Sequence, residues 1–439
     1  MHLIPAEWQT SNNKAVFENG AWSSYAALVN RVEALAARLP KERCLAFCYC
    51  RTDTATIVNY LACLLAGHPV LLLDANLHHA AKLDLIAHYK PELLLTSAEW
   101  QAGTPTKSEL HSDLALLLST SGTTGSPKLV RLSARNILSN ADSIRLALNI
   151  QPSDCAMCSL PFHYSYGLSV LNSHLRAGAS LALTSEGILS NAFWDVCRQA
   201  ESTSMAGVPY TYQLLQRLQL DKLNVPNLTT LTQAGGKLPP QLISHFHAVA
   251  TNRNGRFFVM YGQTEATARM AILPPSALPA KLGSVGLPIP GGSFSITSGE
   301  VVYSGPNVML GYAAARSDLA RGDEMQGRLR TGDLGSLDED GYLYISARLK
   351  REAKVAGHRV NLDEVEDLLK QHGPTAALEG SGKIVIFCEW GDAALHSLAL
   401  GELAQRLHFS LHAFEFRHVP ALPVSSNGKI DYTSLAALP

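Results

Sequence analysis

The sequence predicts an α/β protein, with a large N-terminal body of layered α/β sheets, a β-rich subdomain attached to it, and a small α+β C-terminal domain. Three successive textures carry that expectation. Apolar runs alternate with helical patterns over most of the chain, the pattern of parallel strands joined by crossover helices. After Ile289 it turns to short alternating strands separated by glycine turns, SFSITSGEVVY and then GYLYIS. After Ala347 it changes again, to a βα stretch of about ninety residues, just large enough to fold separately.

The elements follow in order. Residues 23–39 (SSYAALVNRVEALAARL) place apolar side chains at helical spacing behind a serine start signal and predict an amphipathic helix. The apolar runs at 44–50 and 70–73, separated by another helical stretch, read as buried strands. The same reading applies at 114–118, 156–160, 180–183 and 257–260. In the last part KVAGHRV (354–360) reads as a strand, LDEVEDLLKQH (362–372) as a helix, KIVIFCEW (383–390) as a strand and 393–407 as a helix. The expected division is therefore 1–347, a junction at Arg348-Leu349-Lys350, and 351–439.

Composition bounds the partners. A chain of 439 residues exceeds one ordinary core, and its 46% hydrophobic and 17% charged residues suit a globular protein. A net charge of -1 predicts no general attraction to nucleic acid or to an anionic membrane, so any anion site must be local. No run approaches the ~18 apolar residues of a membrane span, and the first twenty residues lack a basic stretch followed by an apolar one. With eight scattered cysteines, this predicts reduced thiols and a cytoplasmic location. Cys155 and Cys158 have CxxC spacing but no second pair at zinc spacing follows, and their setting, DCAMCSLPF, reads as a buried strand.

The most informative stretch is STSGTTGSPK (119–128), directly after the apolar run LALLL. Gly122 and Gly125 let backbone approach an anion closely, Thr120, Ser121, Thr123 and Thr124 supply hydroxyl and amide donors, and Lys128 adds a compact positive charge. The glycine-to-lysine spacing is wrong for a Walker A loop and no Ser or Thr follows Lys128, which argues against a P-loop NTPase. The string resembles the phosphate-loop signature of the adenylate-forming superfamily of acyl-CoA synthetases, peptide-synthetase adenylation domains and luciferases.

Further signatures of that family follow in order, and the resemblance covers nearly the whole chain. TQAGGKLP (232–239) resembles the turn that packs on adenine, with Gly235 and Gly236 as matching residues. YGQTEAT (261–267) resembles the YGxTE motif, which implies adenine stacking by Tyr261 beside Gly262, an α-phosphate contact for Thr264 and Mg²⁺ binding by Glu265. LRTGDLGSLDEDGYLYISAR (329–348) resembles the region in which Asp333 would accept hydrogen bonds from both ribose hydroxyls, with Tyr344 and Arg348 beside the nucleotide. NGKIDY (427–432) makes Lys429 the implied catalytic lysine. Carboxylate attack on the α-phosphate brings two anions together, and a cation spanning both stabilises the transition state. The resemblance also implies a mobile C-terminal lid that rotates about a hinge at Lys350, and a segment around Gly357 presented for the thiol step. Two departures stand out: Ala347 replaces the glycine usual before the hinge arginine, and the phosphate loop begins earlier than in most relatives.

The implied activity is ATP-dependent conversion of a carboxylic acid to an acyl-AMP, then transfer of the acyl group to a pantetheine thiol. The acceptor is coenzyme A or the phosphopantetheine of a separate acyl or peptidyl carrier protein, and both stay open because no carrier motif lies in this chain. The acid site is expected in PFHYSYG (161–167), through His163, Tyr164 and Ser165, and in GVPYTY (207–212), through Gly207 and Tyr210. Amino-acid-activating relatives usually place an aspartate in the first segment to pair with the ammonium group, and none is present here. An acyl, aryl or hydroxy acid is thus favoured over an α-amino acid. A non-catalytic binding protein on the same fold is the alternative of another class; retention of Glu265, Asp333 and Lys429 argues against it.

Overall fold

The computed structural model describes residues 3–96, 100–104, 106, 109–119, 128–348, 351–355, 358–380, 382–407, 409–425 and 428–438. Two compact units partition the chain: Met1–Phe294 with Tyr303–Leu329, and Ser295–Val302 with Arg330–Pro439.

The first unit is built on two large sheets. One runs, edge to edge, Leu287–Pro288, Ala271–Leu273, Arg256–Tyr261, Thr230–Gln233, Ser204–Gly207, Cys155–Met157, Ser180–Ala182, Lys14–Glu18 and Ala21–Ser24. Its interior pairs are parallel, and both edges are closed by antiparallel strands. The other runs Gly311–Ala313, Leu129–Ser133, Leu114–Ser119, Val70–Asp74, Ala46–Cys50, Leu93–Leu95 and Trp100–Ala102. Strands such as Val70–Asp74 and Cys155–Met157 are apolar without alternation because both faces are covered, the usual state of parallel strands.

The expected helix at 23–39 is observed as Tyr25–Ala36. The Ser24 hydroxyl caps it by accepting from the Ala27 amide at 3.2 Å, and Tyr25, Leu28 and Val32 form the buried stripe. Cys155 and Cys158 are buried in the strand setting read from the sequence, and burial pushes the Cys155 thiol up to about 12, which keeps it protonated and inert. No described helix is long and apolar enough to cross a membrane.

In the second unit the segment read as one strand at 354–360 is an antiparallel pair, Glu352–Val355 with His358–Asn361. A hairpin and a strand share the same alternation, so only the pairing separates them. Asn361 then caps the helix Leu362–Leu369, its side chain accepting from the Asp363 amide at 2.8 Å and the Glu364 amide at 3.3 Å. The three-stranded sheet Thr375–Glu379, Ile384–Cys388, Phe414–His418 contains one parallel pair, whose crossover is the helix Ala393–Leu407. Val365, Leu369, Ile384, Ile386 and Leu403 give this part a core of its own.

Candidate active site

The site in the first unit is organised by the turn that follows the strand Arg256–Tyr261. Gly262 stands there because a Cβ would lie 1.6 Å from the Ala268 carbonyl oxygen. The chain closes on itself through hydrogen bonds from Ala268 N to Gln263 O (3.1 Å) and from Met270 N to Tyr261 O (2.9 Å). Thr267 (φ 57°) and Ala268 (φ 102°) both occupy the left-handed region without being glycine, a conformation that persists only where surroundings enforce it. Asn307 is the enforcer: its amide donates to Ala266 O at 2.7 Å and Arg269 O at 2.9 Å, while its oxygen accepts from the Tyr303 hydroxyl at 2.8 Å.

The turn displays Thr264 and Glu265 in a short 3₁₀ segment. The Thr264 hydroxyl lies 3.1 Å from that of Ser165, the first residue of the helix Ser165–Ala177, so two segments singled out separately in the sequence meet. The Glu265 carboxylate accepts a 2.8 Å hydrogen bond from the Tyr312 hydroxyl, and Lys128 Nζ lies 3.5 Å from the centre of the Tyr312 ring. Tyr312 faces this group because its strand pairs with Leu129–Ser133, Tyr312 opposite Val130. Burial, followed by the Glu265 charge, raises the Tyr312 phenol well above its ordinary value, so it is a donor at every working pH. Sequence reading missed Tyr312 and Asn307: their motif-free surroundings carry no signal, and only the register brings Tyr312 beside Lys128.

Two glycine turns border the same region. Gly235 has φ 86°, and a Cβ on Gly236 would sit 3.0 Å from Pro209 Cγ, so this turn is pressed against the start of the helix Pro209–Arg217. Gly207 ends the strand Ser204–Gly207, where a Cβ would meet Thr211 and Tyr212 at 2.9 Å. Tyr210, on the first turn of that helix, is exposed, whereas Tyr164 is buried. His163 Nε2 is 4.0 Å from Asp74 Oδ2, at the end of Val70–Asp74. Burial lowers the His163 pKa against the opposing pull of Asp74, and its Nδ1 is buried with no partner among the described residues. Asp74 carries no signal in the sequence beyond its place at a strand end.

In the second unit the antiparallel register sets Asp333 opposite Arg348, and Arg348 Nε donates to the Asp333 carboxylate at 3.0 Å. Asp333 is 2% exposed, held with one face toward the arginine. Tyr344 lies on the same strand as Arg348. Beside Lys429, Gly428 has φ 69°, Ser425 N donates to Lys429 O at 2.7 Å, and Val424 bridges Ile430. Three residues on, the Tyr432 hydroxyl lies 3.1 Å from Glu366 and accepts from Arg351 at 2.9 Å, while Arg351 also pairs with Asp363 and Glu366. The lysine-bearing segment is thereby tied to the residue directly after the expected hinge. Thr120, Ser121, Gly122, Thr123, Thr124, Gly125, Lys350 and Gly357 lie outside the described residues.

Among the described residues no group of three His, Cys, Asp or Glu side chains is assembled for a metal. Mg²⁺ does not need one, since it is commonly held by one or two carboxylates together with substrate phosphates. The oriented Glu265 carboxylate fits that mode of binding.

A family model described as AMP-binding enzyme matches residues 98–313. An oxalate–CoA ligase from Arabidopsis thaliana is 31% identical over 300 residues, which is 64% of this chain and 57% of that protein. The match thus spans little more than half of that relative. A 2-succinylbenzoate–CoA ligase from Bacillus licheniformis is 29% identical over 359 residues, 74% of this chain and 73% of the relative. Among solved structures, o-succinylbenzoate CoA synthetase from Bacillus subtilis in complex with an acyl-adenylate intermediate superposes with a TM-score of 0.79 at 22% identity, covering 98% of this chain and 96% of that one. The layered α/β architecture read from the sequence is that fold.

Proposed function

This chain belongs to the adenylate-forming superfamily, and from that premise we propose that it is an acid–thiol ligase. It joins a carboxylic acid to AMP with release of pyrophosphate, then passes the acyl group to a pantetheine thiol. The observation that carries the reading is the convergence of Lys128 and Glu265 on Tyr312, at 3.5 Å from its ring centre and 2.8 Å from its hydroxyl. Two residues far apart in the chain, from the phosphate-loop and YGxTE resemblances, are gathered by one side chain. Relatives named for ligating oxalate and 2-succinylbenzoate to coenzyme A support the acid and thiol classes.

In this reading Lys128 holds phosphate charge, and Thr264, aligned by Ser165, donates to the α-phosphate. Glu265 would hold Mg²⁺, which when bound neutralises charge on the departing pyrophosphate. Tyr261 and the Gly235–Gly236 turn flank adenine, and Asp333 accepts the ribose hydroxyls with Arg348 bracing it. Lys429 supplies the cation that spans the attacking carboxylate and the α-phosphate. The substrate carboxylate is itself the nucleophile, so no side-chain nucleophile is required. Lys350 is the proposed pivot between the two half-reactions, Gly357 belongs to the segment that meets the thiol, and coenzyme A or a carrier-protein arm is the acceptor.

The test is acid-dependent ATP–pyrophosphate exchange across a carboxylic-acid panel, which reports the first half-reaction without knowledge of the thiol. Exchange that requires an added acid supports the reading; ATP hydrolysis without acid-dependent exchange overturns it.

Tyr312 gives a sharper expectation. A hydrogen bond to a charged group contributes about 1.5–3 kcal/mol. Tyr312→Phe removes the donor to Glu265 while keeping the ring beneath Lys128. The Mg²⁺ concentration for half-maximal exchange is expected to rise about tenfold, with acid KM little changed. An unaltered Mg²⁺ requirement would show that Glu265 does not depend on this tyrosine.

A further inference from the structure

Arg269 is a buried cation without a counter-ion. It is 2% exposed, and the left-handed turn at Thr267 and Ala268 directs the chain inward immediately before it. Its Nη2 donates to the Ser169 hydroxyl at 3.2 Å, its guanidinium carbon lies 4.5 Å from the Tyr166 ring centre, and its Nε is buried without a partner. Among the described residues no carboxylate lies within ion-pair distance of it. The other deeply buried arginines of this unit are treated differently: Arg131 is paired with Glu324, and Arg316 with Glu92 at 2.6 Å. Desolvation makes an unpaired buried cation costly, so it calls for an anion that arrives from outside the chain.

The place for that anion is a cavity of about 30 Å³ whose wall is largely apolar, Ile144, Leu148 and Ala206 among it, and whose polar lining includes Arg269, Arg256, Ser169 and Thr232. One water needs roughly 10–15 Å³ on this measure, so the space suits one carboxylate-sized group. Asp154 also borders the cavity, but its oxygens already accept from the Gln151 amide at 2.8 Å and the Thr203 hydroxyl at 2.9 Å. Position ties the cavity to the acid site. Ser169 lies one helical turn beyond Ser165, whose hydroxyl meets Thr264, while Ala206 directly precedes Gly207 and Thr232 leads into the Gly235 turn.

We propose that Arg269 anchors a second anionic group on the substrate, so that the acid activated here carries another anion besides the carboxylate that reacts. The inference rests on the acid-activating reading above and narrows its substrate class. Arg269 is a specificity determinant at the far end of the acid, and the reacting carboxylate is left free for the phosphate.

The experiment compares malonate, succinate, glutarate and adipate with their monomethyl esters in ATP–pyrophosphate exchange, using wild type, Arg269→Met and Arg269→Lys. Wild type is expected to prefer at least one diacid over its ester by tenfold or more in kcat/KM. Arg269→Met is expected to lose at least a hundredfold on that diacid, chiefly through KM, with less than a threefold change on the ester. Arg269→Lys retains part of the preference, which separates lost charge from lost packing. Equal turnover of acid and ester by wild type, or equal loss on both in Arg269→Met, overturns the anchor while leaving acid activation standing. Absence of exchange with every acid removes the activity reading instead. Thermal shift with the same diacids then decides the anchor alone: stabilisation specific to a diacid and lost in Arg269→Met supports it, and no such stabilisation overturns it.

Discussion

Lys429→Ala is expected to lower acid-dependent pyrophosphate exchange by about 10²–10³-fold or more, the usual cost of removing one preorganised charge from a site of developing negative charge. The reason is the chemistry of the first step. A carboxylate must approach a phosphorus already surrounded by anionic oxygens, and the only compensation available at the attacking side is a cation that touches both. The Ser425–Lys429 backbone hydrogen bond, the bridge of Val424 to Ile430 and the Tyr432 anchorage on Glu366 are made by atoms that the substitution leaves in place. Ile430 and Tyr432 pack against a small cluster of Val419, Leu422 and Leu435, so the variant should fold and melt like the parent. Thioester formation from supplied acyl-AMP should be largely retained, because in that step the thiol attacks the acyl carbon, AMP departs, and no anion has to approach phosphorus. Equal loss in both half-reactions, in a protein with unchanged melting, would remove Lys429 from a role specific to adenylation.

Much of the architecture was legible because helices and buried strands write their burial directly into apolar spacing. The serine start signal of the first predicted helix is observed as a side-chain cap, Ser24, whereas the Asn361 cap of Leu362–Leu369 emerged only from the structure. The helix at 393–407 was read with the bounds it has in the structure, Ala393–Leu407. The pair Glu352–Val355 and His358–Asn361 was not, since alternation continues across a reversal and the glycine at 357 was the one break signal. In the site, Thr264, Glu265 and Ser165 were legible through contiguous motifs, and the structure brings them together as far as Thr264 and Ser165 at 3.1 Å. Tyr312, Asn307, Asp74 and Arg269 were not legible for a common reason. Each acts through a partner distant in sequence, as Tyr312 does through Glu265 and Asn307 through Arg269, and only the tertiary fold makes such partners neighbours.

Gly262→Ala is expected to abolish exchange nearly as completely as loss of the lysine, by geometry rather than charge. The added Cβ would stand 1.6 Å from the Ala268 carbonyl oxygen and 3.0 Å from Arg269 Cα, both backbone atoms that no rotamer change can move away. Relief requires the turn itself to open, against the Ala268–Gln263 and Met270–Tyr261 hydrogen bonds and the two Asn307 contacts that hold its far side. Overpacking of this kind costs typically 1–3 kcal/mol, small enough for the protein to remain folded with a lowered melting temperature. The functional cost is larger, because Thr264 and Glu265 lie on the displaced segment while Ser165 and Tyr312 stay on their own helix and strand. A shift near 1 Å at reacting groups costs about 10²-fold in rate. Gly187→Ala is the matched control, since a Cβ there meets nothing within 4 Å, and it should leave exchange and melting unchanged. Parental exchange and melting in Gly262→Ala would show that the turn yields freely, and that Thr264 and Glu265 are not positioned by its closure.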